Sequence, residues 1–448
     1  MSRRCRREWR TKGNSRPKKG NFRKAMSVPM TQSGFAGTAN LNMSHAQPAV
    51  PFHVMTKPVG PLCNLDCRYC FYLEKLDLYS SRRSHRMPDD VLERYVRHFI
   101  ESQPARLPEI EFCWQGGEPT LLGVEFFEKA VALQKQYAGG RRVANAFQTN
   151  GTLLDDRWGA FLHDNGFLVG ISIDGPRHMH DVHRTDKGGG ASFDRVLQGI
   201  EILKKHNVRF NTLTVVNRHN ARHPLTVYSF LKKVGSGYIQ FIPVVEREDP
   251  DSETLAGPPD LEDESGLDRH VTPWTVRPAD YGDFLATIFR EWVKKDVGRV
   301  FVQMFDVTLG AWAGAPAGLC AFAPKCGGAL AMESNGDVFS CDHYVYPEYL
   351  LGNIMNGDLR EMVISDQQTK FGNDKTDTLP EYCRKCRYLF ACNGGCPKHR
   401  FLTTPDGEPG LNYLCAGFKK FFRASESGMK KMTALLQAER APAEIMRK

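Results

Sequence analysis

The sequence of 448 residues has no run of about eighteen apolar residues, the length that a membrane-spanning helix needs. It also has no apolar stretch after the basic run at residues 3–7, so we reject an export signal there. We therefore expect a cytoplasmic protein without a membrane partner. Thirteen cysteines in a chain without an export signal favour metal ligation in a reducing compartment over disulfide bonds.

Beyond its first residues, the chain has almost no net charge. Residues 1–24 carry eleven Lys and Arg against one Glu, a charge of +10, and subtracting this from the total of +9 leaves −1 for the rest. This balance gives no support to a nucleic-acid-binding face on the folded body. Residues 1–50 are rich in Arg, Lys, Ser, Asn and Gly without periodicity, which predicts a disordered basic tail.

Three cysteines lie within eight residues, with the spacing C-x3-C-x2-C: Cys63, Cys67 and Cys70. Thiolates are the preferred ligands of iron–sulfur clusters, and three of them leave one iron of a four-iron cluster open. Residues 51–58 are β-branched and apolar and predict a strand just before them. The cysteines are thus expected on a loop after a strand, where α/β barrels place their active sites. A structural zinc site is the alternative, although such sites usually pair two-cysteine knuckles.

Strand and helix patterns alternate through residues 51–246. The predicted strands are 51–58, 109–115, 142–149, 167–173, 208–216 and 238–243. Helical spacing of apolar residues is found at 87–100, 121–137, 155–165, 193–206 and 222–233, and again at 278–295. This alternation predicts a parallel α/β sheet.

A second set of eight cysteines follows: Cys320, Cys326, Cys341, Cys383, Cys386, Cys392, Cys396 and Cys415. Eight thiolates can ligate two four-iron clusters or two zinc ions, and the spacing alone does not decide between them. Residues 329–341 predict a β-hairpin with Asn335 and Gly336 in its turn, and residues 410–436 predict a closing helix. The remaining Cys113 lies in a predicted strand and is expected to be a small buried apolar residue.

The first cysteine motif, together with Tyr69, Phe71 and Tyr72, resembles the signature of the radical S-adenosylmethionine (SAM) enzymes. The second set resembles the SPASM domain of radical SAM enzymes that modify peptides. Together with residues 115–120, 148–152, 172–175, 341–342 and 411–415, the motifs resemble the anaerobic sulfatase-maturating enzymes. The resemblance implies an α/β fold with a partial (β/α)6 radical SAM barrel at 51–246, a linker and helix at 247–318, a cysteine-rich SPASM iron–sulfur domain at 319–420 and a C-terminal helix at 421–448.

The resemblance also implies three [4Fe–4S] clusters and bound SAM. Cys63, Cys67 and Cys70 would hold the cluster whose open iron binds SAM. Cys320, Cys326, Cys341 and Cys396 would hold the nearer auxiliary cluster, and Cys383, Cys386, Cys392 and Cys415 the farther one. The implied SAM-binding residues are Tyr72, Gln115, Gly116, Gly117, Glu118, Ser172, Arg184 and Val245. Asp342 would be the general base.

The implied activity is the oxygen-independent oxidation of one Cys or Ser of a sulfatase to Cα-formylglycine by 5′-deoxyadenosyl radical chemistry. The implied partners are an unfolded or nascent sulfatase polypeptide and an electron donor such as flavodoxin or ferredoxin, with no nucleic acid. Three alternatives stay open. One is another SPASM-type peptide-modifying maturase, for example a thioether-forming one; another is a zinc-bearing binding module; the third is a nucleic-acid binder, suggested by the tail alone.

Overall fold

The computed structural model describes residues 51–79, 84–249, 255–259 and 271–447, so the predicted tail lies outside the described residues. The strands are β1 (His53–Thr56), β2 (Leu65–Cys67), β3 (Glu109–Trp114), β4 (Arg142–Thr149), β5 (Leu168–Ser172), β6 (Arg184–Asp186), β7 (Arg209–Val216), β8 (Tyr238–Pro243), β9 (Phe301–Val302), β10 (Ala329–Met332), β11 (Asp337–Phe339) and β12 (Leu350–Asn353).

The α-helices alternate with these strands as far as β8 and dominate the chain after it. They are α1 (Asp89–Ser102), α2 (Val124–Tyr137), α3 (Asp156–Asp164), α4 (Arg177–His180), α5 (Phe193–Lys205), α6 (Pro224–Val234), α7 (Pro278–Lys295), α8 (Gln303–Trp312), α9 (Leu359–Ile364), α10 (Asp366–Asp377), α11 (Glu381–Arg384), α12 (Leu389–Cys392) and α13 (Cys415–Gln437). Within the described ranges, no helix combines the length and the apolar character that crossing a membrane requires.

Ten strands form one sheet in the order β12-β11-β10-β1-β3-β4-β5-β7-β8-β9. The six strands β1, β3, β4, β5, β7 and β8 pair in parallel, each with the next. The predicted alternation of six strands and helices is therefore confirmed. The two short strands β2 and β6 form a separate antiparallel pair, which the sequence patterns did not indicate.

The two faces of the sheet differ in what they carry. On β3 the alternate residues Ile110, Phe112 and Trp114 are almost completely buried. The Trp114 ring packs edge-on against Phe127 of α2, at 5.5 Å between centroids, so this face meets the helices. Side chains at the intervening positions point to the opposite face, because successive residues of a strand alternate. That opposite face carries the residues described below.

The predicted hairpin is present and extends the barrel sheet. Strand β10 pairs in parallel with β1 and antiparallel with β11, and Gly336 takes φ of +91° in the turn between β10 and β11. Glycine tolerates this left-handed conformation without a steric penalty. The hairpin therefore attaches the second cysteine region directly to the first barrel strand.

Residues 247–318 contribute more than the predicted linker and single helix. Besides α7 they contain α8, which carries Phe305; the Phe305 ring stacks on Phe421 of α13 at 5.7 Å between centroids. Helices α7 and α13 cross at a glycine pair, where a Cβ on Gly282 would lie 2.7 Å from the carbonyl oxygen of Gly417. This segment thus packs the closing helix α13 into the core.

Candidate active site

The first cysteine loop is held from two sides. Strand β2 lies within this loop and pairs with β6, so that Cys67 faces Arg184. On the other side, the backbone N–H groups of Gly117 and Glu118 each donate a hydrogen bond of 2.8 Å to the loop, to the carbonyls of Gly60 and Leu62. A Cβ on Gly117 would lie only 1.8 Å from the Leu62 oxygen, so the glycine is needed for the turn to approach the loop.

The three thiols of this loop fit a metal cluster. Burial raises the pKa of Cys63 and of Cys70 to about 11, and that of Cys67 to about 12. The thiols are close enough for Cys63 and Cys70 to raise the pKa of Cys67 further. They would therefore stay protonated at neutral pH unless metal binding displaced their protons. Three neighbouring, half-buried thiols on one loop are a donor set suited to an iron–sulfur cluster.

The carboxylate of Glu118 is fully engaged within the protein. It accepts hydrogen bonds from the backbone N–H and hydroxyl groups of Thr120, from the hydroxyl of Thr149 and from the backbone N–H of Asn150, all between 2.6 and 3.0 Å. These bonds fix the turn of residues 116–118 to the end of β4. A contact of Glu118 with SAM remains a prediction, and its observed contacts give it a positioning role.

A buried network lies behind Cys67. Two nitrogens of Arg184, Nε and Nη2, donate to Asp174 at 3.0 and 3.3 Å, and the hydroxyl of Tyr69 donates to the same carboxylate. Burial alone would raise the pKa of Asp174, but the guanidinium of Arg184 holds it below its ordinary value. Within the described residues, the hydrogen bonds of the Arg184 guanidinium to Asp174 use Nε and Nη2, and its contact with SAM remains a prediction. The other two predicted contacts, Ser172 at the end of β5 and Val245 shortly after β8, are both buried, and their roles remain predictions.

Lys57, which the sequence patterns did not single out, contacts the predicted base Asp342. It also contacts two predicted SAM-binding residues, Gln115 and Tyr72. The buried ammonium of Lys57 forms an ion pair with Asp342, donates a hydrogen bond of 3.2 Å to Oε1 of Gln115 and lies 4.0 Å from the ring centroid of Tyr72. Burial would raise the pKa of Asp342, but Lys57, with help from His343, holds it below its ordinary value. Asp342 is therefore ionised at neutral pH, the state that a general base needs.

Glu333 is a second residue that sequence reasoning missed. It is almost completely buried in the hairpin turn and accepts a hydrogen bond from the hydroxyl of Tyr72. Burial raises its pKa to about 8, although the nearby Lys57 acts in the opposite direction. Glu333 therefore holds the Tyr72 hydroxyl by a hydrogen bond, and its carboxyl group keeps its own proton over much of the neutral pH range.

A further charged pair lies between the two cysteine regions. Nζ of Lys398 is 2.6 Å from Oε1 of Glu246 and 4.5 Å from the ring centroid of Phe71. Phe71 in turn contacts the ring of His343, at 5.2 Å between centroids. Phe71, which directly follows the first cysteine motif, therefore lies beside His343, which follows Asp342 in the chain.

The eight later cysteines separate into two groups of four. Electrostatic contacts join Cys396 to three other thiols: Cys320, Cys326 and Cys341. The second group, Cys383, Cys386, Cys392 and Cys415, lines one small cavity. The structure thus brings together the same two sets that the resemblance implies, with Cys415 delivered by the first turn of α13.

Two buried cations fit anionic clusters at these sites. Lys375 donates only to backbone carbonyls, those of Cys320 and Ala321, at 2.7 and 2.9 Å. Arg400, with none of its surface exposed, likewise bonds only to backbone carbonyls and lies close to thiols of both groups. In the described part of the chain neither cation pairs with a carboxylate. A buried unpaired cation is costly, and a cluster with four thiolate ligands would supply the missing negative charge.

The fold and these sites define a radical SAM domain joined to a SPASM-type iron–sulfur domain. The model of the Radical SAM superfamily matches residues 58–231, and that of an iron–sulfur cluster-binding domain matches residues 320–387. The structure also superimposes on that of native anSMEcpe with bound AdoMet and Cp18Cys peptide, with a TM-score of 0.73 and 32% identity over 86% of this chain and 99% of the other.

Similar proteins of known function show which family of radical SAM enzymes the chain belongs to. A serine-type anaerobic sulfatase-maturating enzyme of Bacteroides thetaiotaomicron is 48% identical over 90% of this chain and 96% of its own length. A cysteine-type anaerobic sulfatase-maturating enzyme of Clostridium perfringens is 34% identical over 83% of this chain and 95% of its own. The chain therefore belongs to the family of the anaerobic sulfatase-maturating enzymes.

Proposed function

We propose that this enzyme oxidises a serine of a sulfatase polypeptide to Cα-formylglycine without oxygen. The observation that carries the proposal is the ion pair of Asp342 with Lys57, which places an ionised carboxylate between the two cysteine regions. The choice of serine is supported by the 48% identity with the serine-type enzyme, against 34% with the cysteine-type one.

The oxidation removes one hydrogen atom, one proton and one electron from the serine side chain. Bound SAM and the cluster at Cys63, Cys67 and Cys70 would supply the radical that takes the hydrogen atom from Cβ. Asp342 accepts the hydroxyl proton, while Lys57 keeps the carboxylate ionised beforehand. The two groups of four thiols would hold the clusters that receive the remaining electron.

The polypeptide partner is proposed to be an unfolded or nascent sulfatase in the cytoplasm, because the target serine must come close to the partly buried carboxylate of Asp342. An electron donor such as flavodoxin or ferredoxin would supply the electron for SAM cleavage. A chemical reductant can replace that donor in a test, so the two partners can be examined separately.

The test uses two sulfatase-derived peptides that differ only in Ser or Cys at the target position. The reconstituted enzyme is incubated anaerobically with SAM, reductant and one peptide, and formylglycine is measured by mass spectrometry. We expect formylglycine from the serine peptide, with a higher kcat/KM than from the cysteine peptide. Conversion of the cysteine peptide alone would contradict the serine assignment, and SAM cleavage without formylglycine from either peptide would contradict the proposed reaction.

A further inference from the structure

Three side chains with metal-binding atoms lie together on the barrel strands, and none of them belongs to the three cysteine groups described above. They are His53 of β1 and Glu111 and Cys113 of β3, here called the His53 cluster. One ring nitrogen, one carboxylate oxygen and the sulfur all lie within 4.8 Å of one another. All three residues are half-buried.

The pairing of the two strands creates this cluster. Met55 of β1 lies opposite Cys113 of β3, and His53 and Glu111 each stand two residues earlier on their strands. Residues two apart point to the same face of a strand, so all three side chains lie opposite the buried face that carries Phe112. The cluster is thus set by the register of the strands and not by a flexible loop.

The neighbouring strands leave room beside these side chains. Ala329 of β10 lies opposite His53, while Ala144 and Ala146 of β4 lie opposite Glu111 and Cys113. Each flanking position therefore carries only a methyl group. In the described part of the chain, the three side chains form no hydrogen bond and Glu111 forms no salt bridge. A half-buried carboxylate without a partner is unfavourable.

We propose that the His53 cluster binds one divalent transition-metal ion of the zinc type. Imidazole nitrogen, carboxylate oxygen and thiolate sulfur are all zinc ligands, with metal–ligand distances of about 2.0–2.3 Å. The donor atoms need to approach one another by about 1 Å to reach this geometry. A carboxylate and a thiolate together balance the charge of a divalent ion, which favours binding in a half-buried site. Three protein ligands leave a fourth position for water.

The ion would connect the two strands that lead into the active-site loops. Strand β1 precedes the loop with Cys63, and β3 precedes the turn with Gly117. Cys113 lies two residues before Gln115, or about 7 Å along the strand. The ion would therefore bind on the N-terminal side of Lys57 and Gln115 along β1 and β3. Its expected role is to hold β1 against β3 beneath the reaction site, independently of the substrate assigned above.

The test measures zinc on the enzyme that already carries its iron–sulfur clusters. The protein is incubated anaerobically with one equivalent of Zn²⁺, desalted over a weak chelator, and its metals are measured by mass spectrometry. We expect one zinc per chain with unchanged iron. X-ray absorption at the zinc edge should show one sulfur among nitrogen and oxygen ligands. Zinc surrounded by sulfur alone would lie in a cluster site and would overturn the proposal, as would the absence of retained zinc.

Variants then assign the ligands. Three single variants remove one ligand each: His53→Ala, Cys113→Ala and Glu111→Gln, the last of which keeps the shape of the side chain. Each of them should weaken zinc retention at least tenfold. Met55→Leu, on the same face at a position that the proposal does not assign as a ligand, is the matched control and should retain zinc. Iron content checks the fold of each variant. Full zinc retention by Glu111→Gln and Cys113→Ala at normal iron content would contradict the ligand assignment.

Discussion

The buried ammonium of Lys57, one residue beyond β1, forms an ion pair with the carboxylate of Asp342, which is 16% exposed and directly follows Cys341. The two residues are 285 positions apart in the chain. The pair joins the strand before the first cysteine loop to the second cysteine region. It also explains how a largely buried aspartate stays ionised, because burial alone would raise its pKa.

The first prediction separates hydrogen abstraction from proton removal. Asp342→Asn keeps the shape of the side chain but cannot accept the substrate proton. We expect continued cleavage of SAM to 5′-deoxyadenosine, with formylglycine reduced by roughly 10²–10⁴-fold, the usual effect of losing an acid–base group. Because a serine hydroxyl is far less acidic than a thiol, the loss should be larger on a serine peptide than on its cysteine twin.

Both products are measured in the same reaction. Asp358→Asn is the control, because asparagine caps the start of α9 as well as aspartate does. A parallel fall in deoxyadenosine and formylglycine would mean that Asp342 positions SAM or a cluster, and the role as a base would be wrong.

The second prediction concerns the stability of the ion pair. Lys57→Met leaves the largely buried carboxylate of Asp342 without its cation, and because loss of one partner of a fully buried pair typically costs about 3–5 kcal/mol, we expect a loss up to about that size. The double variant Lys57→Met/Asp342→Asn should recover much of this loss, since it buries no unpaired charge. Anaerobic urea unfolding of the variants and the wild type measures the free energies.

The exposed pair of Lys129 and Asp89 provides the control. Its atoms are 2.6 Å apart, but both side chains are more than half exposed, so Lys129→Met should change stability little. If the losses of the two single variants at Lys57 and Asp342 simply add in the double variant, the two residues are not energetically coupled.

The third prediction concerns the contact between the glycine turn and the cysteine loop. A Cβ on Gly117 would overlap the backbone carbonyl of Leu62, which cannot move without moving the loop. Gly117→Ala should therefore lose the first cluster and SAM cleavage but keep the auxiliary clusters, or about eight of about twelve irons per chain. Iron analysis and deoxyadenosine formation measure the two effects.

Gly328→Ala is the matched control, because a Cβ there meets no atom within 4 Å. It should keep all of its iron. A Gly117→Ala variant with full iron and normal SAM cleavage would show that the loop does not depend on this contact.

Local patterns predicted most of the barrel. The strands β4 and β8 and the helix α7 have the predicted bounds, because each has a clear alternation or helical spacing of apolar residues. The paired strands β2 and β6 were not predicted, since three residues are too few to show alternation. The helix α8 was also missed, although its burial against α13 makes it part of the core.

The cysteines themselves stood out by their spacing, and the family resemblance implied how they divide into groups, whereas most of their surroundings could not be predicted. Lys57 with Asp342 and Tyr72 with Glu333 are pairs between distant segments, and no local pattern links their members. The sequence signal for the first pair was the position of Lys57, a charged residue at the end of an apolar strand. Likewise, the motif identified Glu118 and Arg184, but only the fold shows that their charged groups bind Thr120 and Asp174.

The last prediction concerns pH and Glu333. Burial raises the pKa of this carboxyl from an ordinary 4.5 to about 8, so between these values the folded protein holds a proton that the unfolded chain releases. Its contribution to stability is therefore complete below pH 4.5 and is lost as the pH rises through about 8.

Glu333→Gln, which stays neutral and can still accept the hydrogen bond of Tyr72, should gain stability relative to the wild type as the pH rises from about 6 to about 9. Thermal unfolding midpoints of both proteins across this range measure the difference, and the same substitution at the exposed Glu101 should show no such trend. A relative stability of Glu333→Gln that stays constant across this range would mean that Glu333 is already ionised in the folded protein and held by Lys57, and the neutral state inferred here would be wrong.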